Sequence, residues 1–353
     1  MDFKEKLLSK SNSYNYYKNQ NTKLIEENEA LKMEIEALKQ SRQMSLRDEY
    51  IKSYGRAGSF CNWTYVDYYF RDDFEDKFEN VVKNLNGKDK EIYKWIFLRA
   101  LSVNLISRDS LYFESELTDQ KRFKEFREEN AGKNEIAGFK FSGDYNLHSF
   151  MDLDLNDDDL KILKNKDIID AGAFTGDTTL PLSKITDKKV YAFEPFSSSF
   201  NLLKKNIKDN TINNIVAVNK SLGDNDGERT LYLAGENFQG ITSNPDTRPY
   251  DSEIKVQETK LDTYVKENDL DVGLISIDVE GSERALLNGA IETIKSQKPI
   301  LNISIYHSVV DFFEIIPWVA NLNLGYEFKV FKEQPWPFLA DTVVQCKIRW
   351  LCG

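Results

Sequence analysis

The sequence from about residue 167 onward predicts an α/β fold, in which a parallel β-sheet carries helices on both faces. Short runs of β-branched residues alternate there with segments of helical periodicity, which is the pattern of such a sheet. The runs expected to form buried strands are 167–170, 190–193, 215–218, 274–277 and 300–303. One helix is expected over 282–294, and a closing hairpin is expected from strands within 326–331 and 342–350.

Two N-terminal zones differ from this part of the chain in their pattern of apolar and polar residues. In residues 1–45, apolar residues and one asparagine recur at spacings of four and three, which predicts a short coiled coil with the seam Leu24, Asn28, Leu31, Ile35 and Leu38. This seam would join copies of the chain into a homo-oligomer or bind a partner, whereas a single solvated helix is the alternative. Residues 46–150 are predicted to be a mostly helical auxiliary region that packs on the α/β domain, placed at 151–353.

Composition limits the classes of function. The chain of 353 residues is 41% hydrophobic and 30% charged, and its formal net charge of −11 opposes broad binding to phosphate backbones. It contains no apolar run of the ~18 residues that a membrane span needs, and its first ten residues lack the apolar core of a secretory signal. The three cysteines form no Cys-x-x-Cys pair. We therefore expect reduced thiols in a cytoplasmic protein, with neither a disulfide framework nor a zinc site.

A glycine-containing loop, within the segment DAGAFTGDT, follows the first predicted strand. Gly172 and Gly176 allow the chain to turn sharply and a ligand to approach the backbone closely. Asp170 ends the strand and can accept a hydrogen bond from an ammonium or amide group at the mouth of the crevice. A helix is expected to begin near Asp177, with Pro181 in or near its first turn. An ordinary strand-to-helix turn is the alternative, because two glycines alone are weak evidence.

The second predicted strand ends in an acid. Glu194, followed by Pro195, comes 24 residues after Asp170. In nucleotide-binding βαβ units, a carboxylate at this place accepts hydrogen bonds from both ribose hydroxyls, so the pattern predicts a ribose-containing ligand. NAD and S-adenosylmethionine both contain ribose. Bulky Phe174 stands where a dinucleotide loop has the glycine that admits the pyrophosphate. Because S-adenosylmethionine has no phosphate, the loop favours this methyl donor.

Polar residues also follow the fourth and fifth predicted strands. Asp278 and Glu280 alternate along an extended segment, so both are expected to flank the crevice, one orienting the donor and the other taking the acceptor's proton. Alternatively, Glu280 and Glu283 are first-turn acids that stabilise a helix dipole. His307 is the first choice for a general base, because the ordinary pKa of histidine lies near neutrality. The alternative role of His307 is to cap the helix that starts near Ser308.

Together these motifs resemble the FkbM methyltransferase family. The resemblance rests on DAGAFTGDT, FEP, TKLD, IDVEGSE, LNGA and KPI, which occur in this order between residues 167 and 350. It implies a Rossmann-like class I methyltransferase sheet that binds S-adenosylmethionine and methylates a hydroxyl, often of a sugar or polyketide. The predicted donor site comprises Asp170, Gly172, Ala173, Thr175, Gly176, Glu194, Pro195, Ser221 and Asp278.

The predicted reaction is O-methylation of a small molecule or glycan, with a sugar-like acceptor favoured. Orientation and a general base are expected to provide the catalysis, with His307 the first candidate, Glu280 the second, and Asp278 beside them. A divalent metal held by Asp278 and Glu280 is a third route, although no metal site is predicted. The chain has none of the Pro-Pro or Pro-Cys pairs typical of nucleic-acid methyltransferases, so no nucleic-acid substrate is expected. An NAD-dependent oxidoreductase, or a coiled-coil scaffold with a silent methyltransferase fold, are the alternatives.

Overall fold

The computed structural model describes residues 68–105, 125, 133, 135–136, 138–143, 153–233, 241–242, 250–332 and 342–348. The coiled coil predicted within residues 1–45 lies outside these ranges. The helices in chain order are α1 (Phe74–Val82), α2 (Gly87–Leu105), α3 (Asp157–Leu163), α4 (Thr179–Leu182), α5 (Ser197–Asp209), α6 (Leu261–Asn268), α7 (Glu283–Gly289), α8 (Ile291–Gln297) and α9 (Val309–Asn321). The strands are β1 (Glu135–Ile136), β2 (Phe139–Lys140), β3 (Asp167–Ala171), β4 (Val190–Phe193), β5 (Ile215–Val218), β6 (Ser221–Gly223), β7 (Gly227–Leu233), β8 (Ile241–Thr242), β9 (Ser252–Lys260), β10 (Val272–Ile277), β11 (Ile300–Ser304), β12 (Tyr326–Lys332) and β13 (Thr342–Ile348).

A seven-stranded sheet forms the centre of the α/β domain, with the strand order β12-β13-β11-β10-β3-β4-β5. The five strands from β11 to β5 are parallel, and β13 runs antiparallel to both β11 and β12. All residues of β3, β10 and β11 are buried, as expected for strands covered on both faces. The α/β class, the positions of the five parallel strands and the closing hairpin are therefore confirmed, but the edge strand β5 is half-buried rather than buried.

The strand order reverses between β3 and β10. From β3 the chain moves outward through β4 and β5, and it then returns to the other side of β3 with β10. Such a switch point opens a crevice at the carboxyl ends of the two central strands, which is where ligands bind in open α/β sheets. The fold thus places the loops after β3, β4 and β10 around one crevice.

The single helix predicted over 282–294 is wrong, because the segment forms α7 and α8 with a break at Ala290. A Cβ on Gly289 would lie 1.9 Å from the carbonyl oxygen of Gly223, so α7 ends pressed against β6. The carboxylate of Asp262 then accepts hydrogen bonds from the backbone N–H groups of Glu292 and Thr293, which starts a new helix. Helical periodicity alone does not reveal this break, because it depends on contacts with distant segments.

The chain segment between β5 and α6 forms a second sheet, with the strand order β6-β9-β7-β8. Strand β7 pairs antiparallel with β9 along its whole length, and β6 pairs parallel with β9. No sequence motif indicated this sheet. It matters for function, because β6, β7 and β9 supply one wall of the crevice.

The two described helices of the N-terminal zone pack on the α/β domain. The ring of Tyr68, just before α1, stacks on Phe313 of α9 with 4.4 Å between ring centroids, and Tyr93 of α2 stacks on Phe312 at the same distance. The hydroxyl of Tyr93 also donates to the carbonyl of Phe312 at 2.9 Å. Buried aromatic side chains contribute roughly 1.5–3 kcal/mol each, so this layer fastens α9 to the N-terminal helices.

None of the described helices is both long enough and apolar enough to cross a bilayer. Cys346 is a free thiol in the core of the main sheet, and burial raises its pKa well above the ordinary value. The other two cysteines, Cys61 and Cys352, lie outside the described ranges.

Candidate functional site

The loop after β3 turns beneath the crevice and requires glycine at its first turn. Gly172 has a φ of +84°, and a Cβ there would lie 1.7 Å from the backbone oxygen of Asp278. Only a residue without a side chain allows the ends of β3 and β10 to approach so closely. The backbone N–H groups of Gly172 and Ala173 both donate to the carbonyl of Phe193, at 3.0 Å each. The loop is therefore fastened to the end of β4.

Several predicted donor residues support this loop from below rather than facing the crevice. Asp170 is buried, and its carboxylate accepts a hydrogen bond from the Thr179 hydroxyl, so it does not lie at the mouth as the sequence suggested. Burial raises the pKa of Asp170 to about 7. Ala173 and Thr175 are also buried, and the backbone carbonyl of Thr175 accepts from the Asn206 side chain at 2.8 Å. These residues shape the loop.

Glu194 is the buried acid at the end of β4. Its Oε2 accepts a hydrogen bond from the backbone N–H of Phe174 at 2.9 Å, and its Oε1 accepts from that of Phe196 at 2.7 Å. Burial raises the pKa of Glu194 to about 8, although the two backbone N–H groups oppose this shift. Phe174 adopts a left-handed φ of +44°, which directs its N–H toward the carboxylate. The carboxyl group is thus held in one orientation while its remaining lone pairs stay available.

One pocket lies above these residues. Four of the predicted donor residues line it, together with one predicted catalytic acid: Gly172, Glu194, Pro195, Ser221 and Glu280. The second sheet contributes Arg229 of β7 and Glu258 of β9, whose Nη1 and Oε2 atoms lie 2.6 Å apart. No sequence motif indicates these two residues, because they meet only through the pairing of β7 with β9. The pocket therefore combines a ribose-type acid with a charged opposite wall.

The predicted catalytic residues converge around His307, whose side chain is only 1% exposed. Its Nε2 lies 3.3 Å from Oδ1 of Asp278 and 3.6 Å from Oε2 of Glu280. Its Nδ1 lies 2.8 Å from Oε1 of Glu283, and the same oxygen accepts a hydrogen bond from the backbone N–H of Val279 at 3.1 Å. Glu283 is therefore more than a first-turn acid, because its carboxylate holds the histidine.

This environment changes the protonation of His307. Burial lowers the tendency of the imidazole to be charged, but Glu283, Glu280 and Asp278 outweigh it and raise the pKa of His307 to about 10. The near-neutral pKa that motivated the base assignment does not apply in this arrangement, and the assignment itself stays a prediction. The suggested capping role is wrong: the cap of α9 is Ser308, whose hydroxyl accepts from the backbone N–H of Asp311 at 3.0 Å.

The strand order, the antiparallel β13, the glycine loop and the buried acid after β4 define a class I methyltransferase fold. Residues 170–328 match the family model of the methyltransferase FkbM domain, and this part of the chain is an FkbM methyltransferase domain. No curated protein matches the chain.

Solved structures resemble the chain as well. The crystal structure of methyltransferase FkbM from Methylobacillus flagellatus KT has a TM-score of 0.50 and 17% identity, and the similarity covers 80% of this chain and 61% of that one. At this identity the likeness establishes the fold alone, and the chain spans less than two thirds of that protein. An rRNA methylase from Streptococcus thermophilus has a TM-score of 0.35 and 18% identity, covering 54% of this chain and 93% of that chain. A precorrin-6y C5,15-methyltransferase from Geobacter metallireducens GS-15 has a TM-score of 0.33 and 11% identity, covering 54% and 85%.

Proposed function

We propose that the protein transfers the methyl group of S-adenosylmethionine to a hydroxyl of a small molecule or glycan. The observation that carries the proposal is Glu194, a buried carboxylate held by two backbone N–H groups on the wall of the pocket. Each carboxylate oxygen retains a lone pair that can accept from a ribose hydroxyl. A methyl donor with an adenosine moiety fits this acid, and the FkbM domain supports such a donor.

The backbone of the glycine loop argues against a dinucleotide. The N–H groups of Gly172 and Ala173 donate to Phe193, that of Phe174 donates to Glu194, and that of Gly176 donates to Ala173. A pyrophosphate is usually bound by such backbone N–H groups. Because these donors are already used within the protein, the loop suits a donor without phosphate.

The opposite wall supports a hydroxyl-rich acceptor. The same pocket contains the charged side chains of Arg229, Glu258 and Glu280. A guanidinium donates hydrogen bonds to hydroxyl oxygens, and a carboxylate accepts hydrogen bonds from hydroxyl groups. We infer that these side chains orient a sugar-like acceptor toward the donor, and that this orientation provides much of the rate acceleration.

The reaction requires a deprotonation but no reductant or oxidant. The acceptor oxygen forms a bond to the methyl carbon while the bond between that carbon and sulfur breaks. The bonding electrons stay on sulfur, which changes from a sulfonium cation into a neutral thioether. The hydroxyl proton passes to a nearby base, for which Glu280 and His307 are the predicted groups.

The decisive experiment is calorimetric titration with S-adenosylhomocysteine. Above pH 8, where the carboxylate is ionised, the Glu194→Gln variant should bind it about 10²-fold more weakly than the wild type, since hydrogen bonds to a charged group contribute roughly 1.5–3 kcal/mol each. Asp262→Asn is the matched control, because Asp262 also accepts two backbone N–H bonds but lies outside the pocket. This control should lose stability and keep its donor affinity. Unchanged affinity in Glu194→Gln, or tighter binding of NAD than of S-adenosylhomocysteine, would refute the proposal.

The acceptor is then found by a methyl-transfer screen. Nucleotide sugars, free glycans, lipid-linked saccharides and phenolic or polyketide hydroxyls are incubated with the protein and methyl-labelled donor. Label in an acid- and base-stable ether supports O-methylation, whereas label on nitrogen or carbon contradicts it.

A further inference from the structure

The second feature of the crevice is a group of side chains that converge on His307. One ring nitrogen of His307 and one carboxylate oxygen each from Asp278 and Glu283 lie within 4.8 Å of one another. We call these three residues the His307 cluster. Glu280 adds a carboxylate oxygen 3.6 Å from Nε2 of the same imidazole.

Two buried atoms of the His307 cluster lack hydrogen bonds. Nε2 of His307 and Oε2 of Glu283 have no hydrogen-bond partner among the described residues, although their side chains are 1% and 0% exposed. The Asp278 oxygen lies 3.3 Å from Nε2, which is an ion-pair distance, but the pair lacks hydrogen-bond geometry. Leaving a buried polar atom unsatisfied costs about 1–3 kcal/mol, so such atoms call for an explanation.

The cluster also spans from the core to the crevice. The side chains of His307 and Glu283 are buried, while those of Asp278 and Glu280 are 45% and 38% exposed. A small solute could therefore enter from the crevice and still reach the buried atoms. Since ligands of one ion with bonds of about 2.1 Å lie at most ~4.2 Å apart, small side-chain rotations would suffice to bind it.

We propose that the His307 cluster binds one divalent transition-metal ion through Nε2 of His307 and the carboxylate of Asp278, with Glu280 beside it on the crevice side and Glu283 holding Nδ1 of the imidazole. One imidazole nitrogen with carboxylate oxygens suits Mn²⁺, Fe²⁺, Co²⁺ or Zn²⁺ better than Mg²⁺ or Ca²⁺, which prefer oxygen alone. Positions toward the crevice would stay open for a further ligand.

The role of the ion in the reaction rests on the proposed function, whereas the binding of the ion to the cluster is independent of it. Glu280 belongs both to the pocket and to the surroundings of the cluster, so an ion there lies at the edge of the pocket. An acceptor hydroxyl bound to a divalent ion loses its proton more easily, which favours attack on the methyl group. The released proton would pass to solvent or to Glu280.

The test is a titration of the metal-free full-length protein with Mn²⁺, followed by the loss of the electron paramagnetic resonance signal of the free ion. One ion per chain should bind at micromolar concentrations, and His307→Gln should weaken binding at least about tenfold. Because His307 is buried, the exposed Asp278→Asn variant is tested too, and it should also weaken binding about tenfold. Asp262→Asn is the control and should bind Mn²⁺ as tightly as the wild type, since Asp262 lies outside both the cluster and the pocket.

The outcomes separate the two proposals. Absence of site-specific Mn²⁺ binding by the wild type, or equal binding by Asp278→Asn and the wild type, overturns the metal site. Parallel titration with S-adenosylhomocysteine tests the proposed function on the same protein samples. Donor binding without Mn²⁺ binding leaves the proposed function intact and removes the metal, while Mn²⁺ binding without donor binding does the reverse.

Discussion

The two sides of the crevice carry acids in contrasting settings. On the side proposed to bind the donor, here the donor side, Glu194 is held by backbone N–H groups of residues 2 and 20 positions away. On the side proposed to face the acceptor, here the acceptor side, His307 is surrounded by carboxylates that lie 24 to 29 positions earlier in the chain, before β11. The donor side therefore depends on loop conformation, and the acceptor side depends on the alignment of neighbouring strands.

This difference predicts which kinds of substitution each side of the crevice tolerates. A carboxylate fixed by backbone groups keeps its orientation without a charged partner, and burial is the main cause that raises its pKa. The charges of three carboxylates raise the pKa of the buried histidine, so removing one of these charges should lower the pKa of His307. We expect the donor side to respond to backbone changes and the acceptor side to respond to charge changes.

The largest effect is expected from Gly172→Ala, which tests the dependence of the donor side on the backbone. The added Cβ would lie 1.7 Å from the Asp278 carbonyl oxygen, so the ends of β3 and β10 must separate. Gly325→Ala is the matched control, because its φ of +83° nearly equals the +84° of Gly172 while no atom lies within 4 Å of the added Cβ. Gly325→Ala should cost about 1 kcal/mol of unfolding free energy from strain alone.

Thermal unfolding measures both variants. Gly172→Ala should lose about 2 kcal/mol or more beyond the control, and it should no longer bind S-adenosylhomocysteine. Equal losses in the two variants would mean that the close approach of β3 to β10 is not needed.

The second effect concerns the pH dependence of ribose binding. The pKa of Glu194 in the folded protein is about 8, above its ordinary 4.5, so folding favours the protonated form. Its contribution to stability is therefore complete below pH 4.5 and is lost as the pH rises through 8. A ribose that donates to the carboxylate favours the ionised form, so affinity should rise by more than about tenfold from pH 6 to pH 8.

Adenosine is the suitable probe, because it has the ribose hydroxyls and no group that titrates between pH 6 and 8. Calorimetry at several pH values gives the affinity, and Glu194→Gln should remove the dependence. A flat profile in the wild type would show that ribose does not contact the carboxylate in its ionised form.

The smallest effect is expected from Ser308, the N-cap of α9, whose structural role is distinct from that of its neighbour His307. Ser308→Ala removes the hydroxyl that accepts from the backbone N–H of Asp311 and donates to its side chain, so stability should fall by about 1 kcal/mol. Asn156→Ala, at the cap of α3 far along the chain, should cost a similar amount. Donor affinity should stay at the wild-type value in both. If Ser308→Ala alone lost donor affinity, the prediction would be wrong, and the N-cap of α9 would influence donor binding.

Much of this architecture follows from the sequence. Short apolar runs identify β3, β4, β5, β10 and β11, because the strands of a parallel sheet covered by helices carry apolar side chains on both faces. Gly172 and Glu194 were recognisable since their roles need a particular residue type at the end of a strand: no side chain in one case and a carboxylate in the other. The sequence also predicts that His307, Asp278 and Glu280 lie at one edge of the sheet, because the carboxyl ends of parallel strands share an edge.

Other features were decided only by tertiary structure. The break between α7 and α8 depends on Gly223 and Asp262, which approach from distant segments. The pairing of Arg229 with Glu258 needs the register of β7 on β9, which the local pattern does not specify. The protonation of His307 changes for the same reason: a pKa follows from the burial and charges around a group, and these are set by which strands and loops meet, not by the identity of the residue.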